Sequence, residues 1–481
     1  MKKTFKLVFV IVFIVLCSLP LLLMPIFHND ASIEKRELSK LPSYISDGKL
    51  NLKFSDEFES WFNDHLPLRS YLLSASNYIS GELMQGETSN VIVGKDGWLF
   101  FASESRDYMN TNAFTEDQVK AFAVTLSLME ENVRERGGSF TFVPMPNKSS
   151  VYGDYMPARY RGSEENNLTR VSAALRDYGV TFTDMRSVML SHKDEVVYHR
   201  RDSHWNYLGA LIGYEAIMDS LGREHPGYSS ASYTVEKSWC GDLDKLLYPA
   251  GGTMDDQYSF DIKHASFTFT EPLSAKSASA QLENYMSDRE DHDDFFTSKN
   301  KDLTDGSRLY MARDSFGRAL LPYMIDSYET ASFKRTDCPD LTTIKDGTDV
   351  VYEIAERNLS RVISTAPFMY APLRTGVLTE GLEEGGTLEP VVEKTGYGVR
   401  IYGAFPEDAD LGDCRVYIQL EKNGEKLVIE AFPIYESKLL GGDGTKGYSA
   451  ILSKELELSG EYSITVISGG TAYSCPKTEI R

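Results

Sequence analysis

Between Val91 and Ile354 the chain alternates strand-length apolar runs with longer stretches of helical periodicity, and no other feature restricts its fold as much. Val91 to Phe100 reads as a hairpin turning at Lys95-Asp96-Gly97. Thr115 caps a helix that runs to Arg136 and stops at Gly137-Gly138. Ser139 to Val143 follows as a buried strand, ending at Pro144-Met145-Pro146. The spacing then predicts a helix over 163–177, a short strand over 180–182, and a helix opened by Asn206 and closed by Gly222. Arg308 to Ala312 is a strand running into Asp314-Ser315, with an apolar helix from Phe316, and Asp349 to Ile354 is one more strand. Strands separated by helices pair in parallel and need cover on both faces. The fold class is therefore α/β, with a doubly wound and mostly parallel sheet.

That domain is expected over residues 91–371, interrupted by an irregular polar insertion at about 224–307. The insertion carries the acidic run Asp288 to Asp294, which lacks the Gly and terminal Glu of a calcium loop and reads as solvated. Residues 372–481 change character. Val399 to Tyr402, Arg415 to Leu420 and Tyr462 to Val466 alternate at period two, so this region is expected to be an antiparallel β-sandwich. Residues 29–90 read as a helical stalk, with Phe54, Phe58, Trp61, Phe62 and Leu66 at helical spacing until Pro67 interrupts.

Residues 1–28 form the remaining segment. The apolar run from Leu7 to Phe27 is long enough to span a hydrocarbon core of roughly 30 Å at about 1.5 Å per residue. Lys2, Lys3 and Lys6 precede it and are expected to stay cytoplasmic, placing the body outside a single-pass cell-membrane anchor. A cleaved signal peptide is the alternative, but no small-x-small site follows Phe27. Contact with membrane is expected only through this helix. A net charge of −21 repels nucleic acid and anionic headgroups from the rest. Outside the anchor, Cys240, Cys338, Cys414 and Cys475 permit two disulfides in an oxidising compartment, Cys414 with Cys475 being the simplest pairing; four free thiols is the other reading. No CxxC spacing points to zinc.

Chemistry concentrates in Tyr198-His199-Arg200-Arg201-Asp202-Ser203-His204-Trp205-Asn206. Asp202 and His204 are two apart, so on an extended segment they project to one side. The carboxylate there orients one imidazole nitrogen and leaves the other to act as base. The third party such a pair needs is a hydroxyl at a strand-to-helix turn, and Ser315 occupies one, with helix N-terminal amides at hand for an oxyanion. The structural alternatives are a buried Asp–His pair beside a core Trp205, and Ser315 as a plain helix cap.

With these segments in view, the chain resembles the SGNH-hydrolase-like domains of alginate O-acetyltransferases and the related DHHW-motif proteins. Asp202-Ser203-His204-Trp205 precedes Asp314-Ser315, the permuted order of that group. Supporting matches are Gly94 to Phe100, Pro146-Asn147-Lys148, Gly241-Asp242-Leu243, and Glu353 to Leu359. The resemblance implies an SGNH-like fold over residues 30–370, with Ser315 as nucleophile, His204 as base and Asp202 orienting it. It implies serine-dependent O-acetyl transfer, or ester hydrolysis, on a polysaccharide acceptor. The acetyl donor would come from a membrane acetyltransferase partner, and no metal or organic cofactor is called for. Arg313 stands where alginate-type members have Gly, and is expected either to crowd the substrate or to lend it a positive charge. Asn147 is a candidate oxyanion donor or a turn residue. Arg201, beside His199 and Arg200, is a candidate for polyanionic glycan or solvated surface; Trp205 is a candidate substrate contact. Tyr402, Tyr417, Phe432, Tyr435 and Tyr448 are candidates to stack on sugars, by analogy with a carbohydrate-binding module. The rival reading is a non-catalytic envelope protein that binds glycan or a partner through a degenerate SGNH domain.

Overall fold

A computed structural model describes residues 2–24, 38–46, 49–67, 69–83, 90–228, 230–271, 295–377 and 379–480. The helices used below are α1 Lys2–Leu23, α2 Phe54–His65, α3 Arg69–Asn77, α4 Glu116–Glu135, α5 Asn167–Asp177, α6 Met185–Ser191, α7 Tyr207–Ser220, α8 Asp242–Leu247, α9 Leu321–Ser327 and α10 Ser360–Ser364. The strands are β1 Val91–Val93, β2 Leu99–Phe101, β3 Phe140–Met145, β4 Tyr233–Trp239, β5 Asp255–Phe260, β6 Phe267–Glu271, β7 Phe295–Asn300, β8 Arg308–Arg313, β9 Thr330–Arg335 and β10 Thr348–Ala355.

The hairpin and the long helix form for the reasons read from sequence. β1 pairs antiparallel with β2, and Asp96 and Gly97 take the left-handed conformation at the turn (φ 53° and 78°). Thr115 and Gln118 cap α4 reciprocally, each side chain bonding the other's backbone amide.

Six strands make the central sheet in the order β3-β10-β8-β9-β7-β6. The first four are parallel; β7 and β6 add antiparallel. The sheet is thus mixed, which corrects the mostly parallel expectation. The two antiparallel strands come from the segment expected to be an irregular insertion, whose β4–β5 hairpin is also ordered. Their Phe267, Phe269 and Phe296 join the core, and a polar average over the segment hides that pattern. The acidic run at 288–294 lies outside the described residues.

Side-chain alternation shows that both faces are covered. Tyr310, Ala312, Val350, Tyr352 and Ile354 enter one core with α4, α5 and α10; Leu309, Met311, Val351 and Ala355 enter a second with α6, α7 and α9. Layering of this kind follows from period two within each strand.

The C-terminal strands are β11 Glu383–Thr387, β12 Val391–Lys394, β13 Gly398–Ala404, β14 Val416–Lys422, β15 Glu425–Tyr435, β16 Lys446–Ser453, β17 Gly460–Ser468, β18 Thr471–Ser474 and β19 Thr478–Ile480. They form a nine-stranded β-rich region, antiparallel except for β11 against β18. Long β15 pairs with β14 up to Ala431 and with β16 from Phe432, so one strand links the two halves. Its core is continuous with that of α4. Of the tyrosines and phenylalanines offered for sugar stacking, Phe432, Tyr435 and Tyr448 are buried there, leaving Tyr402 and Tyr417 partly exposed.

All four cysteines outside the N-terminal helix are free. The Cys414–Cys475 pairing is therefore corrected. Cys414 points the other way, toward the Asp117 carbonyl of α4 and the Tyr435 hydroxyl. Among the described residues no helix is long and apolar enough to cross a membrane. α1 is helical, with its described side chains from Leu7 to Val15 exposed, but the fold does not show the expected transmembrane role.

Candidate active site

Residues 197–206 close into a tight loop. Tyr198 bridges Trp205, the Asn206 amide donates to the Val197 carbonyl at 3.0 Å, and the Asn206 side chain accepts from the Gly209 amide to cap α7. A fully buried lysine fills the loop. Lys148 Nζ donates to the carbonyls of His199, Arg200 and Asp202 at 3.1, 3.1 and 2.6 Å. Burial lowers its pKa to about 8 despite the carboxylates of Glu104 and Asp202 nearby.

A second segment braces the loop from outside. Gly241 lies so close to the Arg201 carbonyl that a Cβ would come within 2.1 Å of it. That approach puts the Asp242 amide on Asp202 Oδ2 at 2.9 Å, where Trp239 Nε1 also donates at 3.0 Å. Asp202 Oδ1 faces His204, whose Nδ1 lies 2.8 Å away and whose backbone amide donates at 3.0 Å. His204 Nε2 then lies 2.9 Å from Ser315 Oγ. Ser315, just past the carboxyl end of β8, thus meets the Asp–His pair.

The electrostatics agree with that order. Burial works against the Asp202 carboxylate, but the His204 hydrogen bond and charge, with the donors around it, hold it well below the usual range. Burial lowers the His204 pKa, and the hydrogen bond and charge of Asp202 with the charge of Asp242 outweigh it, so the net shift is upward. Burial and the neighbouring Asp202 charge raise Asp242. Its carboxylate accepts from Ser203 Oγ and the Ser203 amide at 2.6 and 2.7 Å. Asp202, His204 and Asp242 present potential metal-ligand atoms within 4.8 Å of one another. A cation there would have to displace the hydrogen bonds that join Asp202 to His204 and Ser203 to Asp242.

Ser315 and His204 open on a cavity of about 620 Å³. Its lining includes Trp205, Trp239, Phe316 and Arg357 from the body, and Arg69 and Leu73 from α3. The stalk segment therefore supplies one wall, secured by Asn77 Nδ2 donating to the Leu247 carbonyl at 2.9 Å and the Ala250 amide donating to Ser74 Oγ at 3.1 Å.

Four sequence-chosen residues meet here: Ser315, His204, Asp202 and Trp205, the last donating to the Phe316 carbonyl at 3.0 Å. Three do not line the cavity. Asn147 is fully buried and its amide donates to Asp107 Oδ2 at 3.0 Å, in a pocket of acids with Glu104 and Glu356. Arg201 turns back to ion-pair with Asp244 and to donate to the Gly97 carbonyl. Arg313 is buried beneath the turn against Gly317 and Glu353, so it neither crowds the cavity nor charges it. The two amides after Ser315 are also committed. Phe316 N–H donates to Asp314 Oδ1 at 2.9 Å and Gly317 N–H to Glu353 Oε2 at 3.1 Å.

Sequence reasoning missed Lys148, Trp239, Asp242 and Arg357. Lys148, Asp242 and Arg357 lie in family-like segments without an assigned task. Arg357 faces Glu104 at 3.7 Å, while Glu353 belongs to β10.

Residues 91–258 match the family model described as SGNH hydrolase-like domain, acetyltransferase AlgX. The matched span contains Asp202 and His204 and ends before Ser315. Over 177 residues the chain is 24% identical to the probable alginate O-acetylase AlgJ of Pseudomonas aeruginosa, covering 36% of this chain and 43% of that protein. Against its Pseudomonas putida counterpart the figures are 22%, 36% and 45%. The chain thus spans under half the length of these curated relatives. Among solved structures, a DHHW family protein from Eubacterium siraeum is similar at 20% identity and TM-score 0.38, over 50% of this chain and 85% of that one. The O-acetyltransferase domain of P. putida AlgJ gives 16% and 0.35 over 56% and 92%; Bacillus cereus PatB1 gives 17% and 0.42 over 55% and 95%. The family match and the curated relatives bear out the resemblance read from the sequence.

Proposed function

We propose that this chain is a serine-dependent acyl-ester enzyme that works outside the cell on a polysaccharide, most of all by O-acetyl transfer. The observation that carries this reading is the unbroken line from Asp202 through His204 to Ser315, with steps of 2.8 and 2.9 Å, opening on a cavity. In the scheme, Ser315 Oγ attacks the acetyl carbon while its proton passes to His204 Nε2. Collapse expels the donor's alcohol with that proton and leaves an acetyl-serine. A sugar hydroxyl then gives its proton to His204 and takes the acetyl group; if water does so instead, the outcome is hydrolysis. Asp202 holds the imidazole in the tautomer that presents Nε2.

The relatives named as probable alginate O-acetylases support the polysaccharide acceptor. The donor is supplied by a membrane acetyltransferase partner, the helix at 2–23 and its apolar run support single-pass anchoring in the cell membrane, and the C-terminal sheet holds glycan near the cavity. One observation favours the rival, a degenerate binding domain: the Phe316 and Gly317 amides are engaged by carboxylates.

The test uses the full chain in detergent. It should hydrolyse p-nitrophenyl acetate, and a sulfonyl fluoride should mark Ser315 by mass spectrometry. No turnover with any acetyl donor or acceptor, together with no adduct on Ser315, would give the site to the binding reading.

A further inference from the structure

Ser315 and Arg357 leave the same end of the sheet. β8 and β10 are parallel neighbours in register through Ala312 and Tyr352, and each chain passes that pair to reach the carboxyl end, where ligands of open α/β sheets bind. Both residues line the cavity. The Arg357 guanidinium carbon lies 5.3 Å from the ring centre of Phe316, next to the nucleophile, and 5.8 Å from that of Phe101. Only 14% of the side chain is exposed. Its Nη1 is buried 3.7 Å from Glu104 Oε1, too far for a hydrogen bond, and has no hydrogen-bond partner among the described residues. Two rings and one carboxylate thus fix a planar cation that is nearly withdrawn from water yet reaches the cavity.

An acyl-transfer site must also hold the oxygen on which negative charge develops. The Phe316 and Gly317 amides are spent on Asp314 and Glu353, and the Asn147 side-chain amide is spent on Asp107. Arg318 and Arg335 line the cavity too, but Arg335 is exposed and neither is set against the Phe316 ring as Arg357 is.

We propose that the Arg357 guanidinium, in place of the Phe316 and Gly317 amides, holds the acyl oxygen. This rests on the acyl-transfer reading of Ser315. As Ser315 Oγ bonds to the acyl carbon, the carbonyl π pair moves onto oxygen, and N–H groups of Arg357 donate to it. Collapse returns the pair to carbon, and the departing alkoxide takes the proton held on His204 Nε2.

The experiment compares wild type, Arg357→Ala and Arg357→Lys with the double variant Glu104→Gln/Arg357→Ala, which avoids stranding the buried Glu104 charge. The expected result is a fall in kcat on p-nitrophenyl acetate of about 10²–10³-fold with KM within a few-fold. Lys should recover little, because a point charge lacks the planar fork. Low-millimolar guanidinium ion should restore part of the Arg357→Ala rate and leave wild type unchanged, which a purely structural loss would not allow. An active wild type whose folded double variant keeps its kcat, or loses only KM, would overturn this assignment alone. An inactive wild type would remove the acyl-transfer reading beneath it.

Discussion

Two ionic networks in this molecule are built on opposite plans. At the seam between α4 and the C-terminal sheet, Glu430 accepts from Arg374 Nε and Arg415 Nη1, each at 2.6 Å, while Arg374 grips Glu131 with both remaining nitrogens at 2.5 Å. Charges match there, and Arg374 holds Glu131 below the usual carboxylate range. Around Lys148 and Arg357, buried carboxylates crowd together and neighbours are driven apart. Asp202 and Asp314 are pushed down, whereas burial pushes Glu104, Asp107 and Asp242 up and takes Glu356 to about 8. A matched network brackets two regions together. The unmatched one holds Glu356 protonated near neutral pH while Asp202 and Asp314 stay ionised.

The contrast breaks first at the nucleophile. Ser315→Ala and His204→Ala should each cut ester turnover by about 10⁴-fold or more, and Ser315→Ala should leave the melting curve nearly in place. Equal loss of stability and rate would put both networks in one class. Next comes Arg374→Met, which leaves Glu430 with a single partner. Denaturant titration should show a loss of about 2 kcal/mol, less than for a fully enclosed pair because Arg374 and Glu131 are partly exposed. The folded protein should keep its kcat; a dead but folded variant would tie the seam to the chemistry.

Trp239→Phe is the third. It removes one donor from Asp202, and a hydrogen bond to a charged group contributes about 1.5–3 kcal/mol. We expect kcat/KM to fall about tenfold. Asp202 loses support for its ionised form, so acid unfolding should begin at higher pH than in wild type. An unchanged acid limb would show that the Asp242 amide alone suffices.

The smallest effect is in the pH profile. Neutral His204 is the active form, and its pKa is shifted up from about 6.5, so the rate should rise with pH through a midpoint above that value. The stability it contributes has the opposite sense: full below about 6.5, lost as pH rises through the folded-state midpoint. Asp202 contributes above about 3.9 and its share is lost only as pH falls through its depressed folded value. A midpoint below 6.5, from initial rates in low salt, would mean that desolvation dominates at His204.

What the sequence disclosed follows from the range of the interactions involved. Thr115 as a cap, the Asp96-Gly97 turn, and the strands at 140–145, 308–313 and 348–355 depend on neighbours a few residues away. The Asp202–His204 pairing is equally local, and family-like order supplied Ser315. Burial of Arg313 and the turn of Arg201 onto Asp244 depend on partners far along the chain, and no spacing encodes them. Gly241 shows the limit well: its close approach to the Arg201 carbonyl is what aims an amide at Asp202, yet the residue itself reads as an ordinary loop glycine.

The walls of the cavity come from Arg69, the loop at 197–206, the turn at Ser315 and the segment at Arg357, so chain that is far apart must meet before any of it can work. Contacts of such long sequence separation form late, after local helices and hairpins. Refolding should therefore restore helical circular dichroism before it restores esterase turnover. A partly synthesised chain, stopped after its family-matched portion at residue 258, would carry the base and its carboxylate but have no nucleophile to activate.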